Sequence, residues 1–264
     1  MSSIRPPAAA GTFYPAEPGR LRAMVEGFLA APESSPGEGP PKALIAPHAG
    51  YVYSGPVAGH AFGALRAGAA RLRRVVVVGP AHVVPFRGLA LPIAKAFRTP
   101  LGDIPIDDDA IGALRDLPQV ASTDVPHQPE HALEVELPFL QTVLGDLALV
   151  PLLVGDATPA AVAEALDRLW GGPETLLVIS SDLSHYEPYD RARAHDQATA
   201  AAIEQLDGAS LGPREACGHL AIAGLLLEAL RRAMRVQRLD LRSSGDTAGP
   251  KDQVVGYGAW ALAA

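Results

Sequence analysis

Cysteine is almost absent from this chain. Cys217 is the single cysteine among 264 residues, so no intramolecular disulfide can form. Proteins built on disulfide frameworks are therefore excluded, and the composition favours a reducing compartment. An unpaired cysteine either packs as a small apolar side chain or acts as a reactive or metal-binding thiol.

Long apolar runs and concentrated charge are also lacking. The apolar run at 220–227 is stopped by Glu228, well short of the ~20 residues that a membrane span needs. Residues 1–13 contain Arg5 and two prolines instead of the apolar core of a secretory signal. The net charge is −7 and basic residues form no extended run. We therefore expect a cytoplasmic protein with no membrane or nucleic-acid partner.

Common sequence fingerprints of nucleotide-binding and hydrolase sites are missing as well. The chain contains neither GxGxxG nor GxxxxGK[ST], which argues against a phosphate-binding loop of either kind. The GxSxG elbow is also absent, which argues against a serine hydrolase of the α/β type. Any active site must therefore rest on other residues.

What is present is the pattern of an α/β protein. Apolar residues make up 48% of the chain, which is typical of a globular protein, and its length suits a single domain over residues 1–264. Continuous apolar runs predict strands covered on both faces, as in a mostly parallel central sheet flanked by helices. A Pro/Gly/Ser-rich segment at 33–41 predicts a surface loop. The predicted strands are 42–47, 74–79, 89–93, 147–154, 176–180, 236–241 and 254–262. The predicted helices are 19–30, 55–67, 107–117, 131–144, 159–169, 189–206 and 217–234, and Pro138 should kink the fourth.

Polar side chains follow three of these strands. His48 and His82 come just after two of them, and Asp182 and His185 follow a third. In open α/β sheets, ligands bind outside the carboxyl ends of the strands, so these groups are expected to converge. The alternative is that each histidine separately caps its strand or makes a hydrogen bond in the core.

Two further candidates lie near predicted helix starts. The dipole and amides at the start of an apolar helix would favour a thiolate at Cys217, although a small buried apolar role stays open. His131 and Glu134 are three residues apart and would share one helical face. They can form an acid–base pair or support a metal ligand, but the pattern by itself favours a solvated helix start that carries Glu130, Glu134 and Glu136.

The motifs together resemble the Memo family, whose bacterial members are also called AmmeMemoRadiSam system protein B. The resemblance runs from Arg5 to the last strand and rests on the order and spacing of the motifs. They are AGTFYP at 10–15, APHAGY at 46–51, GPAH at 79–82, EHALE at 130–134, LPF at 137–139, SSDLSHY at 180–186, CG at 217–218, SGD at 244–246 and VGY at 255–257.

The resemblance implies a fold similar to that of the class III extradiol ring-cleavage dioxygenases, which hold non-haem iron. It also implies that His48, His82 and Cys217 surround a metal, with Asp182 and His185 lining the same pocket. Iron as Fe2+ is the first expectation, and copper or zinc are alternatives. In the dioxygenases the third ligand is a carboxylate. A cysteine in its place shifts the preference toward softer ions, so ring cleavage does not carry over.

Three functions follow as hypotheses. The first is a dioxygenase-like, metal-dependent oxidoreductase acting on an unknown small molecule, in which His185, Asp182, His131 and Glu134 are the candidate catalytic residues. The second is a non-enzymatic binding or adaptor subunit that works with radical-SAM and AMMECR-type partner proteins, as the family name implies. The third is an enzyme in which Cys217 is the nucleophile, activated by a histidine.

Overall fold

The computed structural model describes residues 4–30 and 40–263. Almost all of the loop predicted at 33–41 lies outside these residues. The strands are β1 (Ile4–Arg5), β2 (Ala43–Ala46), β3 (Arg74–Pro80), β4 (Leu89–Leu91), β5 (Ala96–Thr99), β6 (Gly102–Pro105), β7 (Val120–Ser122), β8 (Ala148–Val154), β9 (Thr175–Ser180), β10 (His185–Glu187), β11 (Arg235–Ser243) and β12 (Val254–Ala263). The α-helices are α1 (Pro18–Leu29), α2 (Tyr51–Gly63), α3 (Asp108–Gly112), α4 (Leu137–Leu144), α5 (Pro159–Leu169), α6 (Tyr189–Glu204) and α7 (His219–Arg231).

A large mixed sheet forms the centre of the fold. Within the described ranges it has nine strands in the order β10-β12-β2-β9-β3-β8-β4-β7, with β11 also paired to β12. The central strands β2, β9, β3 and β8 are parallel, as their continuous apolar runs predict, and all of β9 is buried. On either side, β12 runs antiparallel to β2 and β4 runs antiparallel to β8. The fold is therefore α/β, and its mixed sheet has a parallel centre and antiparallel flanks.

The antiparallel pairing of β11 with β12 follows from chain connectivity. β11 ends at Ser243 and β12 begins at Val254, and the two strands pair along almost their whole length. A connection this short suits antiparallel neighbours, because parallel neighbours need a longer crossover. Helix α2 packs on β2, β11 and β12, while α7 packs on β3 and β9. The site described below lies where the parallel strands end.

The helix predicted at 131–144 is shorter than expected. A 3-10 turn covers Glu134–Glu136, and the α-helix begins only at Leu137. Pro138 occupies the first turn of α4 and does not kink it, because a backbone N–H is not needed at that position. His131 and Glu134 therefore do not share a helical face, which corrects the sequence-based expectation.

A second, three-stranded sheet secures the beginning of the described chain. β1 pairs parallel with β5, which pairs antiparallel with β6. The sequence patterns did not predict this sheet, because its strands are only two to four residues long. It holds Arg5 in a buried position. No helix in residues 4–30 and 40–263 is long and apolar enough to span a lipid bilayer.

Candidate metal centre

Three adjacent parallel strands end at the candidate site. His48 follows β2, Asp182 follows β9, and His82 follows β3. Because β9 lies between β2 and β3 and runs parallel to both, the three carboxyl ends meet at one edge of the sheet. The strand-end argument from the sequence thus identifies residues that the fold does bring together.

Three imidazole rings form the centre of the site. The ligand atoms of His48, His82 and His131 all lie within 4.8 Å of one another, close enough to share a metal ion. The ring centroids of His82 and His131 are 4.8 Å apart, and that of His48 is 5.1 Å from His82. His131 comes from the loop before the 3-10 turn, so its place beside the strand-end histidines is a tertiary effect.

Cys217 lies beside the group and comes from a different segment. Its Sγ lies 3.4 Å from Nε2 of His48 and 3.3 Å from the backbone nitrogen of Asp182. The residue lies just before α7, whose first helical residue is His219 and whose N-cap is Gly218. The thiol is half-buried and faces the imidazoles. The group whose ligand atoms converge is therefore His48, His82 and His131, and Cys217 lies next to it through its contact with His48.

Each imidazole is held through its Nδ1 atom. Nδ1 of His48 lies 2.7 Å from Oγ of Ser180. Oε1 of Glu130 lies 2.9 Å from Nδ1 of His82 and 3.2 Å from Nδ1 of His131. Ligand histidines in metalloproteins are commonly oriented in this way, which leaves Nε2 as the nitrogen that would bind an ion.

Sequence reasoning missed Glu130 and Ser180 as supports of the site. Besides the His82 ring, Glu130 accepts hydrogen bonds from the backbone nitrogens of His82, His131 and Ala132. Its position directly before His131 is the one signal in the sequence that pointed to it. Ser180 carried no such signal, because a serine at the end of a buried strand is common.

The charges of the site follow from burial and from these contacts. Burial lowers the pKa of His48 well below its usual range, and the neighbouring His82 and His131 lower it further. Burial also lowers the pKa of His131. For His82 burial acts in the same direction, but hydrogen bonds with Cys217 and Glu130 outweigh it and raise the pKa to about 10. Two rings are thus neutral near pH 7, and the third is protonated in the metal-free protein.

The carboxylate that faces His82 is stabilised in its ionised form. Burial by itself would raise the pKa of Glu130, but the hydrogen bonds from the His82 ring and from backbone amides lower it to about 2. Glu130 is therefore a permanent anion at the edge of the site. It compensates the positive charge of the His82 imidazolium.

Asp182 and His185 lie at the mouth of the site. The Asp182 carboxylate is buried and accepts the backbone N–H of His48 at 2.9 Å. Burial raises the pKa of Asp182, and the nearby His185 acts against that shift. His185 is exposed, and its Nδ1 donates to the carbonyl oxygen of Leu183 at 2.8 Å. The ring of His185 is thus oriented by a backbone carbonyl oxygen.

Comparison with known proteins places the chain in a family. Residues 5–261 match the model of the Memo-like protein family. The chain belongs to the Memo family. It is 36% identical to a MEMO1 family protein of Ignicoccus hospitalis over 97% of each chain. It is 34% identical to a MEMO1 family protein of Sulfolobus acidocaldarius, over 96% of this chain and 97% of the relative.

A solved structure shares the fold. The crystal structure of the uncharacterized protein JW3007 from Escherichia coli K12 superposes with a TM-score of 0.51, covering 84% of this chain and 99% of the other. Its sequence identity to this Memo-family chain is 14%, so the likeness concerns the fold alone.

Glu134 of this Memo-family protein binds the N-terminal segment instead of the imidazoles. The fully buried carboxylate forms an ion pair with Arg5 and accepts a hydrogen bond from the Tyr14 hydroxyl. It also accepts the backbone N–H groups of Ala8 at 2.7 Å and Ala9 at 2.8 Å. These contacts favour a structural role, while its role as an acid or base stays a prediction.

A small cavity opens beside the thiol. It has a volume of about 260 Å³ and lies between the ends of β3 and β8 and the start of α7. Pro80, Phe86 and Val154 form its apolar part, and Cys217 forms part of the opposite wall. A small and mostly apolar molecule would therefore fit next to the candidate metal centre.

Proposed function

We propose that this Memo-family protein binds one transition-metal ion through His48, His82 and Cys217 and acts as a metal-dependent oxidoreductase on a small molecule. The expected ion is iron, with copper or zinc as the alternatives. One observation carries the proposal. The imidazoles of His48, His82 and His131 converge to within 4.8 Å, and the Cys217 thiol lies 3.4 Å from His48.

The chemistry of these donors fits a metal. Imidazole suits iron, copper and zinc, and a thiolate adds affinity for the softer ions. His48 is buried and neutral, which is the form that ligates. His82 carries a proton in the metal-free protein, so an ion must displace it. We therefore expect metal affinity to rise with pH, because the competing proton is lost more readily at high pH.

The surrounding side chains have separate tasks in this proposal. When bound, iron or copper supplies one-electron chemistry that the side chains lack. Glu130 orients His82 and His131. His131 is neutral near pH 7 and can accept a proton from a molecule in the site. Asp182 holds the backbone of His48, and the exposed His185 can exchange protons between the site and solvent.

Metal content after anaerobic expression tests the proposal. We expect close to one ion per wild-type chain by mass spectrometry, and loss of that ion in Cys217→Ala and in His48→Ala. His60→Ala is the matched control, because His60 lies in α2 and contacts Arg242 and Asp240 on β11. A wild-type protein that stays metal-free after anaerobic reconstitution with iron, copper and zinc would refute the metal function.

A cysteine-nucleophile enzyme is the second candidate, and one observation favours it. The Cys217 sulfur lies 3.4 Å from Nε2 of His48, which puts an imidazole beside the thiol, as a cysteine nucleophile requires. The two functions exclude each other at the sulfur, because a metal-bound thiolate is a poor free nucleophile. Labelling of Cys217 by iodoacetamide that is rapid and that added metal does not slow would favour the nucleophile.

A further inference from the structure

Glu136 is a buried carboxyl group that the proposed function does not use. It is fully buried in the 3-10 turn before α4, in the same segment as His131. Its Oε1 lies 2.8 Å from Oγ of Ser180. Its Oε2 has no hydrogen-bond partner within residues 4–30 and 40–263. A carboxylate in such surroundings would be a poorly compensated buried charge.

The Ser180 hydroxyl connects Glu136 to the candidate ligand His48. Three atoms lie at hydrogen-bond distance from Oγ of Ser180. They are the carbonyl oxygen of Ala132 at 2.7 Å, Oε1 of Glu136 at 2.8 Å and Nδ1 of His48 at 2.7 Å. A serine hydroxyl has one hydrogen to donate and two lone pairs that accept. All three contacts form only if one neighbour accepts from Ser180 and the other two donate to it.

The chemistry of the neighbours decides which one accepts. A backbone carbonyl oxygen can only accept, so the hydroxyl hydrogen must point to Ala132. If Ser180 donated to Glu136 instead, two oxygen acceptors would face each other at 2.7 Å with no hydrogen between them. Glu136 and His48 are therefore both donors toward Ser180. A carboxyl group donates only when it is protonated.

We infer that Glu136 is a neutral carboxylic acid that donates to Ser180, and that Ser180 in turn fixes the tautomer of His48, with the proton on Nδ1 and Nε2 facing the metal site. Ser180 is thus the positioning residue for His48, and Glu136 supports Ser180 from the buried side. The protonation of Glu136 and the tautomer of His48 are properties of the metal-free protein. Both properties are therefore independent of the proposed metal function. Only the predicted effect on metal binding rests on that proposed function.

The groups around Glu136 agree with this inference. Among the residues that the structure describes, Tyr51 on α2 and Asp182 after β9 are the titratable groups whose charge acts on Glu136, and neither is a cation. Glu134 in the same turn is an anion paired with Arg5, whose charge is therefore already compensated. Burial raises the pKa of Glu136 well above its usual range, and the Ser180 contact offsets only part of that rise.

Infrared spectroscopy of the metal-free full chain tests the protonation directly. We expect the difference spectrum of wild type minus Glu136→Gln near pH 7 to contain the carbonyl-stretch band of a protonated carboxyl group. Asp182 is present in both proteins, so its own band cancels. Absence of the band would overturn the inference.

The pH dependence of thermal unfolding provides a second readout. An acid whose pKa is raised in the folded state stabilises that state fully only below its unfolded pKa of about 4.5. Above that pH the unfolded chain ionises, so wild type should lose stability relative to Glu136→Gln as the pH rises. A Tm difference that is constant from pH 4 to pH 8 would contradict a neutral Glu136.

Nitrogen-15 NMR of the His48 ring tests the tautomer. We expect a protonated Nδ1 in wild type and in Glu136→Gln, because a glutamine amide can donate to Ser180 in the same way. We expect a mixture of tautomers in Ser180→Ala, and a roughly 10- to 100-fold loss of Zn2+ affinity in that variant. A protonated Nε2 in the wild type would overturn the inference. If wild type binds no Zn2+, the metal proposal fails. The infrared and NMR results still decide whether Glu136 is protonated and which tautomer His48 adopts.

Discussion

Replacement of Glu134 by glutamine should separate stability from metal binding. The change keeps the shape of the side chain but removes the negative charge that faces Arg5. Both residues of this ion pair are buried, with exposed fractions of 0% for Glu134 and 4% for Arg5. The guanidinium would keep its hydrogen bonds to the backbone oxygens of His127 and Glu130 but would lose its only charged partner among the described residues.

The size of the effect follows from these contacts. Removal of one partner of a buried ion pair costs about 3–5 kcal/mol, because the other charge is left buried and uncompensated. Glutamine can also satisfy only one of the backbone N–H groups of Ala8 and Ala9 through its single carbonyl oxygen without rearrangement. We therefore expect the free energy of unfolding to fall by about 3–5 kcal/mol in Glu134→Gln.

Urea denaturation followed by tryptophan fluorescence measures this loss, since Trp260 is fully buried in the core. Glu26→Gln on the exposed face of α1 is the matched control and should change stability by less than about 0.5 kcal/mol. The folded fraction of Glu134→Gln should still bind metal like wild type. Unchanged stability together with lost metal binding or lost activity would contradict this prediction. Glu134 would then act in the metal site and not in stabilising the fold.

Two further predictions concern pH and packing. Burial lowers the pKa of His127 to about 4 from 6.5, so the folded state resists protonation. Stability should therefore fall by up to about 3 kcal/mol between pH 6.5 and pH 4, and urea titrations should show a weaker fall in His127→Gln. In Gly218→Ala the new Cβ would lie 2.7 Å from Cβ of Ser181 and 2.8 Å from the carbonyl oxygen of Ser180. The backbone beside Cys217 must shift, which should lower stability by about 1–3 kcal/mol and weaken metal binding. Gly63→Ala, which meets no atom within 4 Å, should do neither in the same denaturation and metal assays.

Several candidate residues could be found from local sequence because the fold places strand ends together. His48, His82 and Asp182 each follow a strand of the parallel centre. Each could be recognised locally as a polar residue after an apolar strand, and the parallel strands place the three close together. Glu136 and Ser180 could not be found in this way. Their importance depends on a contact between positions 44 residues apart, and neither position has an unusual local pattern.

The helix at 131–144 shows the limit of periodicity. Leucines at helical spacing run through the whole segment, but the chain from His131 to Glu136 follows a loop and a 3-10 turn. Buried polar contacts decide this local structure. Glu130 binds the backbone nitrogens of His131 and Ala132, and Glu134 binds the N-terminal segment. Predictions of radical-SAM and AMMECR-type partners rest on the family name and stay predictions.

By itself, the sequence determined the α/β class, most strands and helices, the Memo-family motifs and the strand-end histidines, because apolar periodicity and local motifs are properties of neighbouring residues. The tertiary structure alone decided that His131 joins His48 and His82, that Glu134 pairs with Arg5, and that the sheet has antiparallel flanks. These features depend on which segments, distant in the sequence, pack against one another and exclude water. Burial and the hydrogen bonds of each group then set its charge, and no local pattern in the chain records them.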